Sequence, residues 1–412
     1  MQETFLTEFK KRGYFNQCTD QIELDKLMSK SKIKAYIGFD CTAPSLHVGS
    51  LMQIMCLRLL QKFGHQPIVL LGGGTTLIGD PSRKDETRKI LEKKEIDRNI
   101  KSIENVFKIF LKSKNLKTKP IFVNNFSWLN KLNYINFLRE IGKHFTVNKM
   151  LTFDSVKLRL EREQSLSYME FNYMMLQAYD FFELNKKLKC ILQIGGSDQW
   201  GNIVNGTDLI KRKNKKQAYG LTTPLIKTSS GAKMGKTEKG AIWLNKKMLS
   251  SYDYWQFWRN TDDRDVINFL KLFTDLDLEK IDNLKNNSNI NELKILLANE
   301  ATTMLHGAKA AKDSEETAQK TFMDRSIGKD LPKIKMEKNE ILNGINIFDL
   351  VLKTKLANSK SEIRRMIKNN GLKINNEIVK DETKIINKNN FDQNDTMKVS
   401  HGKKQHVIVK II

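Results

Sequence analysis

The pattern of apolar and polar residues divides the chain into a first half that mixes strands with helices and a remainder that is mostly helical. Short apolar runs predict buried strands in the first half, at 33–39, 67–71, 120–124 and 190–194. Amphipathic stretches predict helices between them, at 51–63, 101–112 and 167–182. Strands that alternate with helices are typical of a parallel sheet covered by helices. The pattern therefore predicts an α/β domain over residues 1–245.

Beyond residue 245 the strand signals stop. Helical patterns at 252–259, 265–273 and 291–311 predict a separate α-helical domain over 246–330. The charged stretch 331–345 contains a proline near its start, and we interpret it as a linker. The tail, 346–412, combines a helix at 361–368, an Asn-Asn-Gly turn at 369–371 and short strands at 372–374 and 407–411. This pattern predicts a small C-terminal α+β domain.

Composition excludes several classes of protein. The chain has 412 residues, of which 40% are hydrophobic, and this is too apolar for a disordered chain. No apolar run approaches the ~18 residues of a membrane span, and the N-terminus has no export signal. Cys18, Cys41, Cys56 and Cys190 lie far apart without a C-x-x-C pair, so free thiols in a reducing cytoplasm are expected.

The chain is strongly basic, with 71 Lys and Arg against 47 Asp and Glu and a formal net charge of +24. One interpretation is a phosphate-rich partner such as nucleic acid. The other is compositional drift, because Lys, Asn and Ile are common throughout. The tail 346–412 carries 14 Lys and Arg against 7 Asp and Glu, an enrichment that does not decide between the two interpretations.

A candidate phosphate site lies where the strand at 33–39 leads into the helix at 51–63. Backbone N–H groups at the start of a helix attract anions. His47 could donate to a phosphate oxygen, and Gly49 would let an adenine ring approach the backbone. An ordinary strand-to-helix turn, with His47 as a polar cap, remains the alternative.

A second candidate is the loop at 233–237, Lys-Met-Gly-Lys-Thr. Its Gly-Lys-Thr suggests a Walker A motif, but the spacing places Ser230 where that motif needs a glycine. The loop nevertheless presents Lys233 and Lys236, two ammonium groups that could close over a polyphosphate. The alternative is a solvated surface loop.

The predicted helix at 167–182 places Tyr173, Gln177 and Asp180 on one face. This polar face either lies on the surface or forms a pocket for a small polar ligand, and periodicity does not decide. After the strand at 190–194, Gly195 and Gly196 open the backbone beside Asp198, an acceptor for ribose hydroxyls. Tight turns are the alternative explanation for Gly195 and Gly196. Asp80 is a further carboxylate that follows a predicted strand.

In this order and at these distances, the segments resemble the tyrosyl-tRNA synthetases of the bacterial and organellar type, which are class I aminoacyl-tRNA synthetases. Residues 47–50 resemble the HIGH signature of that family, and 233–237 resemble its KMSKS loop. The stretches YIGFDCTAPSLHVG, LIGDPS, GKHFTVNKM, NYMMLQAYDF and QIGGSDQWGNI match almost continuously from about 33 to 245. The tail, with SKSEIRRMIKNNGLKINNEIV, resembles an S4-type RNA-binding module.

The resemblance implies a Rossmann-like catalytic domain over 1–245, an anticodon-side helical domain over 246–330 and an S4-like domain over 346–412. It implies that Tyr36 and Asp180 bind the phenol hydroxyl of tyrosine. The other implied site residues are Asp80, Tyr173 and Gln177 for the ammonium; Asp40, Thr42, Gly38, Asp198 and Gln199 around the tyrosyl group and ribose; Gly49, Ser50 and Gly196 for ATP; and His47, Lys233, Lys236 and Thr237 for the phosphates and catalysis. Lys84 and Arg88 are further candidates for phosphate or acceptor-stem contacts.

The implied chemistry has two steps. The tyrosine carboxylate attacks the α-phosphate of ATP, and the tyrosyl group then passes from the adenylate to the 3′ end of tRNA(Tyr). Mg²⁺ is expected to accompany ATP and pyrophosphate, without a tightly bound, protein-ligated metal. The resemblance also implies a cytoplasmic homodimer with residues 142–150 near its interface, and no membrane partner. One residue departs from the family: Ser50 replaces the second signature histidine, although its hydroxyl could still bind ATP.

Two other functions remain open at this point. One is an RNA-binding protein that has kept the synthetase fold without catalysis, which only Ser50 favours. The other is a synthetase for tryptophan, which Tyr36 and Asp180 oppose because an indole has no phenolic hydroxyl to bind them.

Overall fold

The structure is a computed structural model that describes residues 4–80, 91–111, 116–229, 231, 234–237, 240–322, 331–402 and 405–412. Its helices are α1 Phe5–Lys11, α2 Gln21–Lys30, α3 Leu51–Lys62, α4 Thr75–Ile78, α5 Lys93–Leu111, α6 Phe126–Leu129, α7 Tyr134–Glu140, α8 Val147–Leu151, α9 Asp154–Glu161, α10 Tyr168–Leu188, α11 Trp200–Asn214, α12 Ser251–Arg259, α13 Val266–Phe273, α14 Leu278–Asn287, α15 Ile290–His306, α16 Ala308–Phe322, α17 Lys338–Leu342, α18 Ile347–Lys353 and α19 Lys360–Lys368. Among these helices, none combines the length and the apolar character that crossing a membrane requires.

The strands are β1 Gln17–Cys18, β2 Lys34–Asp40, β3 Gln66–Gly72, β4 Ile121–Asn124, β5 Leu192–Gly196, β6 Tyr219–Thr223, β7 Lys236–Thr237, β8 Gly240–Ala241, β9 Lys333–Met336, β10 Ile345–Asn346, β11 Leu372–Ile374, β12 Glu377–Ile378, β13 Ile385–Ile386, β14 Thr396–His401 and β15 Gln405–Ile411. Each strand predicted in the first half is present, with ends that differ by one or two residues. The helix predicted at 291–311 is instead two helices, because Gly307 adopts a φ of +89° between α15 and α16.

A parallel sheet forms the centre of the first half, and this confirms the predicted α/β class. Within the described residues its strand order is β1-β6-β5-β2-β3-β4, and only β1 runs antiparallel to its neighbour. Strand β3 is buried along almost its whole length, as expected for a strand covered on both faces. Because β2, β3, β5 and β6 run in the same direction, their carboxyl ends meet at one edge.

Helix α10 covers this sheet, and its ends are encoded locally. Ser167 and Glu170 form a capping box, in which the Ser167 side chain accepts from the Glu170 N–H and Glu170 accepts from the Ser167 N–H. Lys189 ends the helix in the left-handed conformation. Between these ends, Met174, Ala178 and Phe181 are buried against the sheet.

The chain divides into two compact units whose boundaries differ from the predicted ones. The first comprises Met1–Leu249 and Asn260–Leu297, and the second comprises Ser250–Arg259 and Ala298–Ile412. Helices α13 and α14 therefore belong with the α/β domain rather than with a separate domain at 246–330. Hydrogen bonding explains this: buried Arg12 donates to the carbonyl oxygens of Lys271 and Thr274, at 2.9 and 3.1 Å.

Residues 331–345 are not a linker, which corrects the prediction from the sequence. Strand β9 pairs in parallel with β15 in a sheet whose order within the described residues is β12-β11-β14-β15-β9. Met336, Ile341 and Ile345 lie in the same apolar core as the tail. Residues 333–336 alternate Lys with Ile and Met, and they form an edge strand. The sequence pattern did not indicate this strand because charged residues lie on both sides of it.

Arg12 provides a test of how the first unit is held together. Its Nε donates to the buried Glu8 carboxylate at 2.6 Å, and its Nη2 donates to the Leu276 carbonyl at 2.8 Å. We expect Arg12→Ala to lower the free energy of unfolding by about 3–5 kcal/mol, because a buried charge loses its partner. Among the described residues, Glu8 would then retain only the distant Lys62 ammonium, at 4.0 Å. Denaturant titration followed by circular dichroism measures this change.

Lys26→Ala is the control, because Lys26 and Glu23 form a solvent-exposed pair at 3.6 Å. Removing such a pair is expected to change the free energy of unfolding by less than about 1 kcal/mol. Equal effects of the two substitutions would contradict the role assigned to Arg12.

Candidate active site

The predicted site residues come from strand ends that meet at one edge of the parallel sheet. Asp40 ends β2 and lies in register with Gly72 at the end of β3. The Thr75 hydroxyl, which follows β3, donates to Asp40 Oδ1 at 2.8 Å. This edge is where ligands bind in open α/β sheets.

Tyr36 and Asp180 are both buried beneath this edge. Tyr36 is fully buried, and its ring lies 5.2 Å from that of Phe181, the residue after Asp180. Asp180 accepts hydrogen bonds from Asn125 Nδ2 at 2.9 Å and from Trp128 Nε1 at 2.7 Å. The Tyr36 hydroxyl has no hydrogen-bond partner among the described residues. A buried hydroxyl group without a hydrogen-bond partner costs free energy, and the phenol hydroxyl of a ligand could supply the missing partner.

Burial dominates the electrostatics of this pair. It raises the pKa of Asp180 to about 7, although the hydrogen bonds from Asn125 and Trp128 oppose the shift. Burial, followed by the nearby Asp180 charge, raises the pKa of Tyr36 well above its usual value. Tyr36 therefore remains a neutral hydroxyl, while Asp180 changes its charge near neutral pH.

The polar face of α10 points into the protein, so it is not an ordinary solvent-exposed surface. Tyr173 is 7% exposed and Asp180 is 1% exposed. The Tyr173 hydroxyl donates to Asp40 Oδ2 at 3.1 Å, which joins α10 to the end of β2. Gln177 Oε1 accepts from Asn202 Nδ2 at 3.0 Å.

The loop after β5 connects the remaining predicted polar residues. Gln199 Nε2 donates to both Asp80 and Asp198, at 3.2 Å in each case. Asn202 Nδ2 donates to Gln199 Oε1 at 3.2 Å as well as to Gln177. A single hydrogen-bond network therefore links Asp80, Asp198, Gln199 and Gln177.

Residues 47–50, called the His47 segment below, contact the described part of the lysine-containing loop, residues 234–237. His47 Nδ1 accepts from the Gly49 N–H at 2.9 Å, and the Val48 N–H donates to the Ile242 carbonyl at 2.9 Å. Gly235, whose φ is +82°, lies so close that an added Cβ would stand 2.6 Å from the Gly49 nitrogen. The two glycines thus allow the two segments to approach each other closely.

The remaining predicted site residues differ in how much of each the structure describes. Gly38, Thr42 and Gly49 are exposed, and Ser50 is half-buried at the start of α3 without a capping bond from its side chain. Gly196 ends β5, and an added Cβ there would stand 2.5 Å from Asp198 Oδ1. The backbone of Lys236 and Thr237 forms β7, but their side chains lie outside the described part of the structure. Lys84, Arg88 and Lys233 lie outside the described residues.

Two family comparisons cover nearly the whole chain. Residues 28–323 match the tRNA synthetases class I (W and Y), and residues 323–409 match the tyrosine–tRNA ligase SYY-like C-terminal domain. The chain is 65% identical over 408 residues to the tyrosine–tRNA ligase of Pelagibacter ubique, with 99% of each chain covered. It is 51% identical over 409 residues to that of Rickettsia rickettsii, covering 99% of this chain and 100% of the relative.

The chain belongs to the class I tyrosyl-tRNA synthetases. A truncated mitochondrial tyrosyl-tRNA synthetase from Aspergillus nidulans superimposes with a TM-score of 0.69 at 28% identity, covering 78% of this chain and 95% of that one. A tryptophanyl-tRNA synthetase from Encephalitozoon cuniculi superimposes at 0.54 with 14% identity, which shows a shared fold alone. The relatives of high identity are tyrosine–tRNA ligases, so the tryptophan and non-catalytic alternatives are set aside.

The candidate site is held together by residues that the motifs did not indicate. Asn125 and Trp128 hold Asp180, Thr75 holds Asp40, and Asn202 bridges Gln177 and Gln199. Asn125 directly follows β4, so the rule that strand ends meet at one edge could have identified it. The indole of Trp128 carried no such signal, because a tryptophan in a short helix usually belongs to the core.

The pKa of Asp180 leads to a test in the synthetase. Below about pH 7 the carboxyl is protonated, and above it the carboxylate is a stronger acceptor for a phenol hydroxyl. Tyrosine is therefore expected to bind more tightly as the pH rises from 6 to 8. Asp180→Asn is expected to abolish this dependence and to weaken binding at pH 8 by about ten- to a hundredfold.

Equilibrium dialysis of tyrosine against each protein measures these affinities. Asp97→Asn is the control, since Asp97 pairs with Lys93 on the exposed face of α5. Affinity that does not change with pH in the unmodified protein, or the same slope in Asp180→Asn, would contradict the assignment.

Proposed function

We propose that this tyrosine–tRNA ligase binds the tyrosine side chain between Tyr36 and Asp180 and aligns its carboxylate with ATP along the sheet edge. The observation that carries the proposal is the unpartnered Tyr36 hydroxyl buried close to the Asp180 carboxylate. A para-hydroxyl group could bond to both, whereas phenylalanine would leave both without a ligand partner. A buried site built to bond a hydroxyl discriminates strongly against the analogue that lacks it.

The ammonium of tyrosine is proposed to bind beside Tyr173, Gln177 and Asp80. Tyr173 and Gln177 are already oriented by Asp40 and Asn202, which reduces the rotamer freedom lost on binding. Asp80 supplies the negative charge opposite the ammonium. Because Gln199 holds Asp80, its carboxylate is positioned before the ligand arrives.

ATP is proposed to lie between the 196–199 loop and the His47 segment. Asp198 would accept from ribose hydroxyls, and His47 would contact the phosphates. Lys233 and Lys236 would stabilise the negative charge that develops as pyrophosphate leaves. The contact between Gly235 and Gly49 supports this arrangement, because it brings the described part of the lysine loop to the His47 segment.

Mg²⁺ is proposed to enter with ATP. It prefers oxygen ligands and commonly binds through the phosphates of its nucleotide. In the described residues, no group of three His, Cys, Asp or Glu side chains could hold a metal ion. The chain's own contribution would be to orient the reacting carboxylate and the α-phosphate.

The chain is also proposed to act as a cytoplasmic homodimer. Exposed apolar side chains on α7, α8 and α10 support self-association: Tyr134 is 56% exposed, Ile135 62%, Val147 59% and Tyr168 65%. Tyr134 and Tyr168 form a hydrogen bond of 3.0 Å, so α7 and α10 present one continuous surface. Val147 lies in the 142–150 segment that was expected near the interface.

Tyrosine-dependent exchange of labelled pyrophosphate into ATP tests the activation step. We expect exchange with tyrosine, and little with phenylalanine or tryptophan. Lys236→Ala should slow exchange while leaving the equilibrium affinity for tyrosine nearly unchanged, because the loop acts mainly in the transition state. Lys227→Ala is the control, because Lys227 lies outside the 233–237 loop. Equal losses of tyrosine affinity and of exchange rate in Lys236→Ala would contradict the proposal that the loop acts mainly in the transition state.

Removing residues 331–412 tests the role of the C-terminal fold. The cut precedes β9, because β9 and α17, which lie within 331–345, belong to that fold. The truncated chain is expected to form adenylate at the full rate but to bind tRNA(Tyr) more weakly, most clearly at raised salt. Exchange and filter binding measure the two effects. Full tRNA charging by the truncated chain would contradict the proposed role.

A further inference from the structure

Asn99 is a buried polar residue that lies outside the sequence motifs. It belongs to α5, on the face that buries Ile96 and Ile103, and it is 3% exposed. Its side-chain Nδ2 donates to the carbonyl oxygen of Cys41 at 3.0 Å. An asparagine is unfavourable inside a helix, and its amide is costly to bury unless a hydrogen bond compensates for the lost water. The bond to Cys41 supplies that compensation.

Cys41 directly follows the end of β2. The last pair of the β2–β3 ladder joins Asp40 to Gly72. Beyond that pair, two side chains hold the Cys41 backbone: its N–H donates to Thr76 Oγ1 at 2.8 Å, and its carbonyl oxygen accepts from Asn99. Because Cys41 is completely buried, water does not compete for either group.

The planarity of the peptide bond transmits this restraint to both neighbours of Cys41. The Cys41 N–H lies in one plane with the Asp40 carbonyl, and the Cys41 carbonyl lies in one plane with the Thr42 N–H. Asn99 therefore fixes the direction in which the chain enters Thr42. Since Thr42 is exposed, packing contributes little to its position, and the peptide plane held by Asn99 matters correspondingly more.

We propose that Asn99 is a positioning residue for the activation step, which holds the 41–42 peptide so that Thr42 lies correctly beside the reacting groups. This inference rests on the proposed function, in which Thr42 is a site residue. The Asp40 carboxylate is held separately, by Thr75 and Tyr173. Loss of the Asn99 bond therefore misaligns the reacting groups while the tyrosine pocket keeps its shape.

Asn99→Leu tests the proposal, because it keeps a side chain of similar size and removes the donor. We expect the rate of tyrosine-dependent pyrophosphate exchange at saturating ATP and tyrosine to fall about ten- to thirtyfold, since small misplacements of reacting groups slow the chemical step strongly. The equilibrium affinity for tyrosine, measured by dialysis, should change by less than about threefold, because the lost contact acts on alignment rather than on ground-state binding.

Asn185→Leu is the matched control. Asn185 is 2% exposed, and its Nδ2 donates to the carbonyl oxygen of Cys190 at 2.8 Å. Cys190 precedes β5, so this bond lies at the edge of the sheet opposite the candidate site. Both substitutions remove a buried bond from an amide to a cysteine carbonyl, and both should lower the melting temperature. Only Asn99→Leu should slow exchange. Equal kinetic effects, or a full exchange rate in Asn99→Leu, would overturn the proposal.

Thr76→Val tests whether the effect passes through Cys41, because it removes the acceptor of the Cys41 N–H. This variant alone should also slow exchange, and it provides a test that does not depend on the folding of Asn99→Leu. Since both side chains hold the same residue, the double variant should be less impaired than the product of the two single effects. A full rate in Thr76→Val, or effects that multiply, would overturn the route through Cys41.

The same exchange assay separates this inference from the proposed function. Absence of tyrosine-dependent exchange in the unmodified protein would refute the proposed function. Normal exchange in the unmodified protein, together with a full rate in a folded Asn99→Leu, would refute only the positioning role.

Discussion

The parallel pairing of β2, β3, β5 and β6 is the constraint on which the candidate site depends. Parallel strands deliver their carboxyl ends to one edge, so residues far apart in sequence meet there. Asp40, Gly72 and Gly196 come together in this way without any local signal joining them. The helices that follow these strands then add Thr75 and Asn202, whose hydrogen bonds hold the strand-end carboxyl and amide groups.

Within that edge, Asp180 shows how burial and hydrogen bonding oppose each other. Apolar surroundings disfavour its charge, while donors from Asn125 and Trp128 favour it, and burial is the larger effect. The result is a carboxyl group whose ionisation is balanced near neutral pH. Both donors also fix the orientation of this carboxyl group, so that its oxygen atoms are presented in a single arrangement.

Much of the fold could be predicted from the sequence, because apolar periodicity reports which face of each element is buried. It located β2, β3 and β5, and it placed Tyr173, Gln177 and Asp180 on one face of α10. It could not show that face to be buried, since Tyr173 meets Asp40 across 133 positions of sequence. The partners of Arg12 on α13 and the edge strand β9 were missed for the same reason: long-range pairing leaves no local pattern.

Strand β9 has a consequence for how the protein is made. It pairs in parallel with β15, so Lys335 lies beside Lys410 and Met336 beside Ile411, far along the chain. During synthesis β9 leaves the ribosome well before β15, so the sheet that contains them cannot be completed until β15 has been made. A polypeptide cut short before β15 would therefore leave β9 without its partner strand and the apolar core partly uncovered, and it would be a substrate for aggregation or proteolysis.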